Sequence, residues 1–239
     1  MRRLTSPTLR RFSVITNHLR TFYEEGSFKF VYDWKVDEIQ VTSTYFSVPP
    51  CIFHCEILVS LELNVSQRCT FFEFTTVNLS KLKLLYFSFS GGKPFNSIAM
   101  LIKSCPLLET LDMTLDSLLN SPRISIVTPK LKSLSLIMVN IIEKHQVIID
   151  SPILTYLCLV DKGATRGMDA NDFVREISKF VVQLYRVREF HLESNVKIFS
   201  YMYSINSLPL FRNLSYATMT LIRSSGVINF SYFCKLPPT

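Results

Sequence analysis

Glycine is nearly missing from this chain, with 6 residues among 239, and only Gly91 and Gly92 are adjacent. That scarcity excludes the glycine-rich loops with which a backbone wraps phosphates. Charge is thin as well, at 19% Asp, Glu, Lys and Arg, so Ser, Thr, Asn and Tyr must cover much of the surface. No uncharged apolar run reaches the roughly 18 residues that a membrane span needs. Met1-Arg2-Arg3 is not followed by the apolar stretch of a secretory signal. Histidine is confined to His18, His54, His145 and His191, and neither Gly-x-Ser-x-Gly nor His-Glu-x-x-His occurs. A nucleophile, base and orienting group therefore have nowhere to assemble, and a non-enzymatic protein without a cofactor is expected.

What is present points to a folded, apolar chain. Hydrophobic residues make up 48%, with 19 Phe, enough for a sizeable core. The six cysteines (Cys51, Cys55, Cys69, Cys105, Cys158, Cys234) read as reduced, mostly buried thiols in a chain without a visible signal. Cys51 and Cys55 flank His54, but no second Cys/His pair follows at zinc-site spacing, so no metal is expected. These features place the protein in the cytosol or nucleus. The net charge is +7. Arg2, Arg3, Arg10, Arg11 and Arg20 lie together at the start, while the later basic residues are scattered singly along the sequence. Without a clustered run, neither nucleic acid nor membrane is an expected partner.

A repeat dominates the rest. The pattern apolar-x-x-apolar-x-apolar occurs as Leu9/Phe12/Val14, Val36/Ile39/Val41, Leu58/Leu61/Leu63, Leu82/Leu85/Phe87 and Leu108/Leu111/Met113. It continues as Leu131/Leu134/Leu136, Leu154/Leu157/Leu159, Val187/Phe190/Leu192 and, more weakly, Leu214/Ala217/Met219. Successive starts differ by 27, 22, 24, 26, 23, 23, 33 and 27 residues, mostly within the roughly 20–29 of leucine-rich repeats. One hexad means little in a Leu-rich chain; nine in near-register specify an α/β leucine-rich-repeat solenoid. Its single domain would span residues 1–239, with a curved parallel sheet on the concave face and irregular helices and loops on the convex face.

The spacing has a physical basis. The last two apolar positions alternate with polar ones, as a short half-buried strand requires. One repeat cannot bury its apolar face alone, so stability comes from stacking neighbours. Three residues beyond each hexad, leucine-rich repeats usually carry Asn or Cys, whose side chain bonds the turning backbone. Those positions hold Asn17, Thr44, Ser66, Ser90, Asp116, Val139, Lys162, Asn195 and Ile222, a degenerate ladder. On the convex side, Phe95–Lys103 is expected to be helical, with Ile98, Leu101 and Ile102 on one face, an Asn96/Ser97 cap and a stop at Cys105-Pro106. The long step before the eighth hexad predicts a helical insertion over 163–186, where Phe173, Ile177, Phe180, Val181 and Leu184 form one stripe. The segment Ser121–Pro129 reads as extended or irregular. The apolar Phe230, Tyr232 and Phe233 near the other terminus predict partly exposed apolar solenoid ends.

Residues alternating with the buried ones define the concave strip. It includes Glu38, Gln40, Glu62, Asn64, Tyr86, Asp112, Tyr156, Glu189, His191, Glu193 and Tyr216, the candidate partner-binding residues. Five acids (Glu38, Glu62, Asp112, Glu189, Glu193) against Arg11 give the strip a formal charge of −4, opposite to the whole chain. A protein partner, basic or neutral, suits it better than a phosphate backbone. Tyr86, Tyr156 and Tyr216 are the expected anchors, since tyrosine joins contact area to a polar tip. His191 between Glu189 and Glu193 reads as a solvated polar cluster.

Several segments resemble a known family. Cys55-Glu-Ile-Leu-Val-Ser-Leu-Glu-Leu63, Ser104-Cys-Pro-Leu-Leu-Glu-Thr-Leu111, Thr128-Pro-Lys-Leu-Lys-Ser-Leu-Ser-Leu136 and Ile149-Asp-Ser-Pro-Ile-Leu-Thr-Tyr-Leu157 are similar to repeats of plant F-box/LRR proteins, many of which also carry an FBD domain. The resemblance is dense over about 55–160. It implies a solenoid that recruits a protein substrate, with an F-box docking on a cullin-ligase adaptor. No segment of the chain matches an F-box or an FBD domain, so the resemblance covers the LRR region only. It implies adaptor binding only where an F-box exists upstream. A stand-alone LRR binding protein, or a shortened product without activity, remains the alternative.

Overall fold

The computed structural model describes residues 9–16, 35–43, 48, 50–65, 76–90, 95–116, 123–139, 146–162, 186–195, 213–223 and 226–233. Every hexad becomes a strand. The nine are β1 (Arg11–Thr16), β2 (Glu38–Ser43), β3 (Ser60–Val65), β4 (Leu84–Ser90), β5 (Thr110–Asp116), β7 (Ser133–Val139), β9 (Tyr156–Asp161), β10 (Glu189–Asn195) and β11 (Tyr216–Arg223). They lie side by side in that order, all parallel, in one sheet.

The register follows the hexads without a slip. Phe12 stands beside Ile39, then Leu61, Leu85, Leu111, Leu134, Leu157, Phe190 and Ala217. A slip of one residue would turn this whole row outward, so burial pins the pairing. From Leu61 to Leu157 the row is at most 1% exposed. The first hexad position is equally enclosed: Val36, Leu58, Leu82, Leu108, Leu131 and Val187 are fully buried. Burying one such side chain is worth about 1.5–3 kcal/mol, which each repeat gains only by stacking.

Two backbone devices recur. A turn leads into each of the five hexads from the third to the seventh, with the amides of Leu58, Leu82, Leu108, Leu131 and Leu154 donating to the carbonyls of Cys55, Leu79, Cys105, Thr128 and Ser151 at 3.1–3.3 Å. Pro106, Pro129 and Pro152 occupy the second turn position, where a fixed φ helps. Next, one carbonyl per repeat accepts two amides from the following repeat: Lys83 O takes Glu109 and Thr110, Glu109 O takes Lys132 and Ser133, and Lys132 O takes Thr155 and Tyr156. The same pair of hydrogen bonds ties the Arg10 carbonyl to repeat two and the Arg188 carbonyl to repeat nine.

Two expectations need correction. The polar turn ladder is displaced, because Ser90, Asp116 and Val139 are still paired strand residues, as are Asn195 and Ile222. The apolar alternation runs one step further there, with Phe89, Leu115 and Met138 in register, and so the strands continue. Asn17, Thr44 and Ser66 lie outside the described residues. The ninth hexad strand is not the sheet's last, since β12 (Gly226–Phe233) pairs antiparallel with β11 and sets Phe230 opposite Met219 and Tyr232 opposite Ala217. At the other edge Ile15 of β1 is 74% exposed. The return Ser121–Pro129, expected to be extended or irregular, is extended: it carries β6 (Arg123–Val127), which pairs with β8 (Gln146–Asp150) in a second sheet. Its Ile126 and Ile149 are buried against the core.

Helix α1 (Phe95–Lys103) forms where expected, with Ile98, Leu101 and Ile102 buried. Asn96 and Ser97 occupy its first turn rather than preceding it. A 3-10 turn at Pro50–His54 buries Ile52 and Phe53. The expected insertion helix lies outside the described residues except for Arg186. Among the described residues no helix is long and apolar enough to cross a membrane.

Candidate functional site

The concave face presents three rows of outward side chains, one at every second strand residue. Near β1–β4, Gln40 is the hub. Its Oε1 accepts from Arg11 Nη2 and from Ser13 Oγ, both at 3.0 Å, and its Nε2 donates to Glu62 Oε1 at 3.0 Å. Arg11, Glu38, Gln40, Ser60, Glu62 and Tyr86 line an open cavity of about 270 Å³. Tyr86 is 38% exposed, so its ring is available for contact. Asn64, in the outermost row, is exposed.

The second group lies on β5–β11. Register places Glu189 between Tyr156 and Tyr216, and His191 between Cys158 and Thr218. The His191 ring centre is 5.2 Å from that of Tyr156 and 5.5 Å from that of Tyr216. His191 Nδ1 pairs with Thr218 Oγ1 at 2.8 Å. The imidazole is thus half-buried between two tyrosines, not a freely solvated member of a Glu-His-Glu cluster. Cross-strand neighbours outweigh i±2 neighbours because adjacent strands lie about 4.8 Å apart, closer than alternate residues on one strand.

Burial also acts on the acid–base groups. It pushes the Asp112 carboxyl above its ordinary value, opposed by a hydrogen bond from Ser135. Burial raises Tyr156, whose hydroxyl donates to the Cys158 sulfur, and nearby Glu189 and Asp112 add to the shift. Cys158 is raised by burial too, against hydrogen bonds from Tyr156 and Ser135. Asp112, Ser135, Tyr156 and Cys158 therefore form one connected group across three strands. The strand alternation put Ser135, Cys158 and Thr218 on this face, but only tertiary contact makes them part of the group. Glu189 is exposed and Glu193 half-buried at its margin.

The arrangement offers negative charge beside aromatic faces. Among the described residues no three His, Cys, Asp or Glu side chains converge on a metal-sized site. Cys51, Cys55, Cys105 and Cys158 are in no disulfide. Cys105, its Sγ 3.1 Å from Leu101 O, is pushed up to about 12 by burial.

The sequence pattern of the LRR repeats of the FBD-associated F-box protein At5g56370 matches residues 30–177. The chain belongs to this family of F-box-associated leucine-rich repeats. Among its relatives in Arabidopsis thaliana, the F-box/LRR-repeat protein At4g14096 is 28% identical over 74% of the chain and 42% of its own length. The F-box/LRR-repeat protein At4g14103 is 25% identical over 73% of the chain and 53% of itself, and the FBD-associated F-box protein At5g38590 is 32% identical over 60% and 34%. The chain thus spans about half or less of the curated relatives it matches. No solved structure matches it significantly. The matched segment holds β2 through β9, including Glu38, Asp112 and Tyr156. Family membership and the repeat architecture together support a role in protein interaction.

Proposed function

We propose that the chain is the substrate-recognition LRR region of an F-box type ubiquitin-ligase adaptor, and that its concave strip takes a basic segment of a protein substrate. One observation carries the choice of ligand: His191 lies between the rings of Tyr156 and Tyr216, Glu189 stands between the same two tyrosines in the strand register, and Asp112 and Glu193 are close by. A Lys or Arg side chain laid over this aromatic row gains an aromatic face and a carboxylate at once. The Glu62–Gln40–Arg11 network and the Tyr86 cavity extend the surface for the rest of such a segment. The residues 1–239 act as one solenoid in the cytosol or nucleus, as a scaffold without cofactor. Coupling to ubiquitin requires docking on a cullin-ligase adaptor, a contact that an F-box would make.

Two measurements test this reading. A labelled Lys/Arg-rich peptide should bind the wild-type chain, and the Tyr156→Ala/Tyr216→Ala double variant should bind it at least about tenfold more weakly, as for truncated anchor residues. Equal binding by the variant counts against the concave site. Co-purification of the full-length product with the cullin-ligase adaptor tests the ligase half, and a folded product that never binds the adaptor favours the stand-alone scaffold.

A further inference from the structure

The basic residues that look scattered in the sequence are gathered by the fold. Lys81-Leu82-Lys83, Lys130-Leu131-Lys132 and Arg186-Val187-Arg188 each straddle the first apolar position of a hexad. The leucine or valine is fully buried in each case, and all six cations are exposed. The double backbone bonds described above hold Lys83, Glu109, Lys132, Thr155 and Arg188 in one row along the rim, at 2.8–3.1 Å per step. Lys81, Lys130 and Arg186 each lie two residues before a member of that row, in the turn leading into its strand.

The basic pairs occur on every second strand of the row, β4, β7 and β10. At about 4.8 Å per strand they recur every 10 Å or so and cover roughly 19 Å. Glu109, between Lys83 at 3.6 Å and Lys132 at 2.6 Å, is the one acid in this stretch of the row. Its carboxyl is held below the usual range, first by the hydrogen bond from Lys132 and its charge. It stays ionised at neutral pH and offsets part of the stripe.

We infer that this rim binds an acidic segment of a partner protein in extended conformation, separately from the concave site. Charge complementarity sets the sign, and the width of the stripe sets the shape. The acidic strip starts one residue beyond the row, at Glu38 and Glu189. A DNA duplex or an anionic bilayer would lay phosphates over both zones, while a single extended chain fits the rim alone. In an extended polyproline II conformation, at about 3.1 Å per residue and three residues per turn, some seven residues span the basic pairs, and acids three positions apart share one face and meet each pair in turn.

The test uses a labelled peptide with Glu at every third position, a DNA duplex and phosphatidylserine vesicles, each titrated into the full chain at low and at physiological salt. The peptide should bind in preference and weaken as salt rises. Lys81→Ser/Lys130→Ser, with its unfolding temperature checked against wild type, should weaken it about tenfold. Glu109→Gln should instead tighten it a few-fold, by removing the internal competitor. Unchanged affinity in both variants, no peptide binding even at low salt, or tighter binding of duplex or vesicles would each overturn the inference. The Tyr156→Ala/Tyr216→Ala variant of the concave site should bind this acidic peptide with wild-type affinity, so failure of one site is distinguishable from failure of the other.

Discussion

Thr128 and Ser151 face each other across neighbouring repeats, their hydroxyl oxygens 3.1 Å apart and both side chains buried. Each begins the turn that leads into its hexad, and the corresponding positions in earlier repeats are Cys55, Leu79 and Cys105. The pair satisfies two polar groups that the core would otherwise strand. Thr128→Val should cost about 1–3 kcal/mol, since it orphans the Ser151 hydroxyl. The double change Thr128→Val/Ser151→Ala should recover part of that loss. Urea unfolding of both variants reads the difference, and strictly additive costs would show that the hydroxyls do not act as a pair.

Core leucines in the middle of the stack should matter most. Leu134 is fully buried between Leu111 and Leu157, so Leu134→Ala should lose about 2–5 kcal/mol. Ile15→Thr, at an exposed site on the first strand, should change stability by less than about 0.5 kcal/mol. Chemical denaturation of the two variants should separate them clearly.

Asp112 predicts a pH dependence. Burial raises its folded pKa, so the neutral acid favours the folded chain. That stabilisation is complete below the ordinary carboxylate pKa and is lost as pH rises through the raised value. Asp112→Asn should therefore raise the unfolding temperature at neutral pH and do so much less in acid. A melting series across pH checks the sign; an equal effect at both ends would mean that ionisation is not the cause.

Thiol labelling should sort the cysteines. Cys105, with its pKa near 12 and its side chain 1% exposed, and Cys55, raised by burial and equally enclosed, should resist alkylation in the native protein. Both should label on unfolding. Mass spectrometry after brief treatment at mildly alkaline pH reads the outcome site by site.

Much of the fold is legible in the residues because a repeat states its rule many times. The hexads identify nine strands, their register and the outward rows, since a period-2 alternation with one buried face admits a single pairing. Helix α1 was readable from Ile98, Leu101 and Ile102. The β6–β8 sheet was not, because segments such as Arg123–Val127 carry no long alternation and become strands only when stacked on a neighbouring return. Strand lengths were underestimated where Phe89, Leu115 and Met138 prolong the alternation.

The sequence by itself therefore determined which residues face in and which face out, and with them the acidic character of the concave strip. Local periodicity and hydrophobic burial suffice for that. Only the tertiary structure decided which outward residues become neighbours. Tyr156, His191 and Tyr216 are separated by 35 and 25 residues in sequence and meet because three strands lie side by side. Lys83, Glu109 and Lys132 align because one carbonyl in each repeat holds two amides of the next. Stacking converts a spacing along the chain into a contact of a few ångströms, and a linear pattern cannot show that distance.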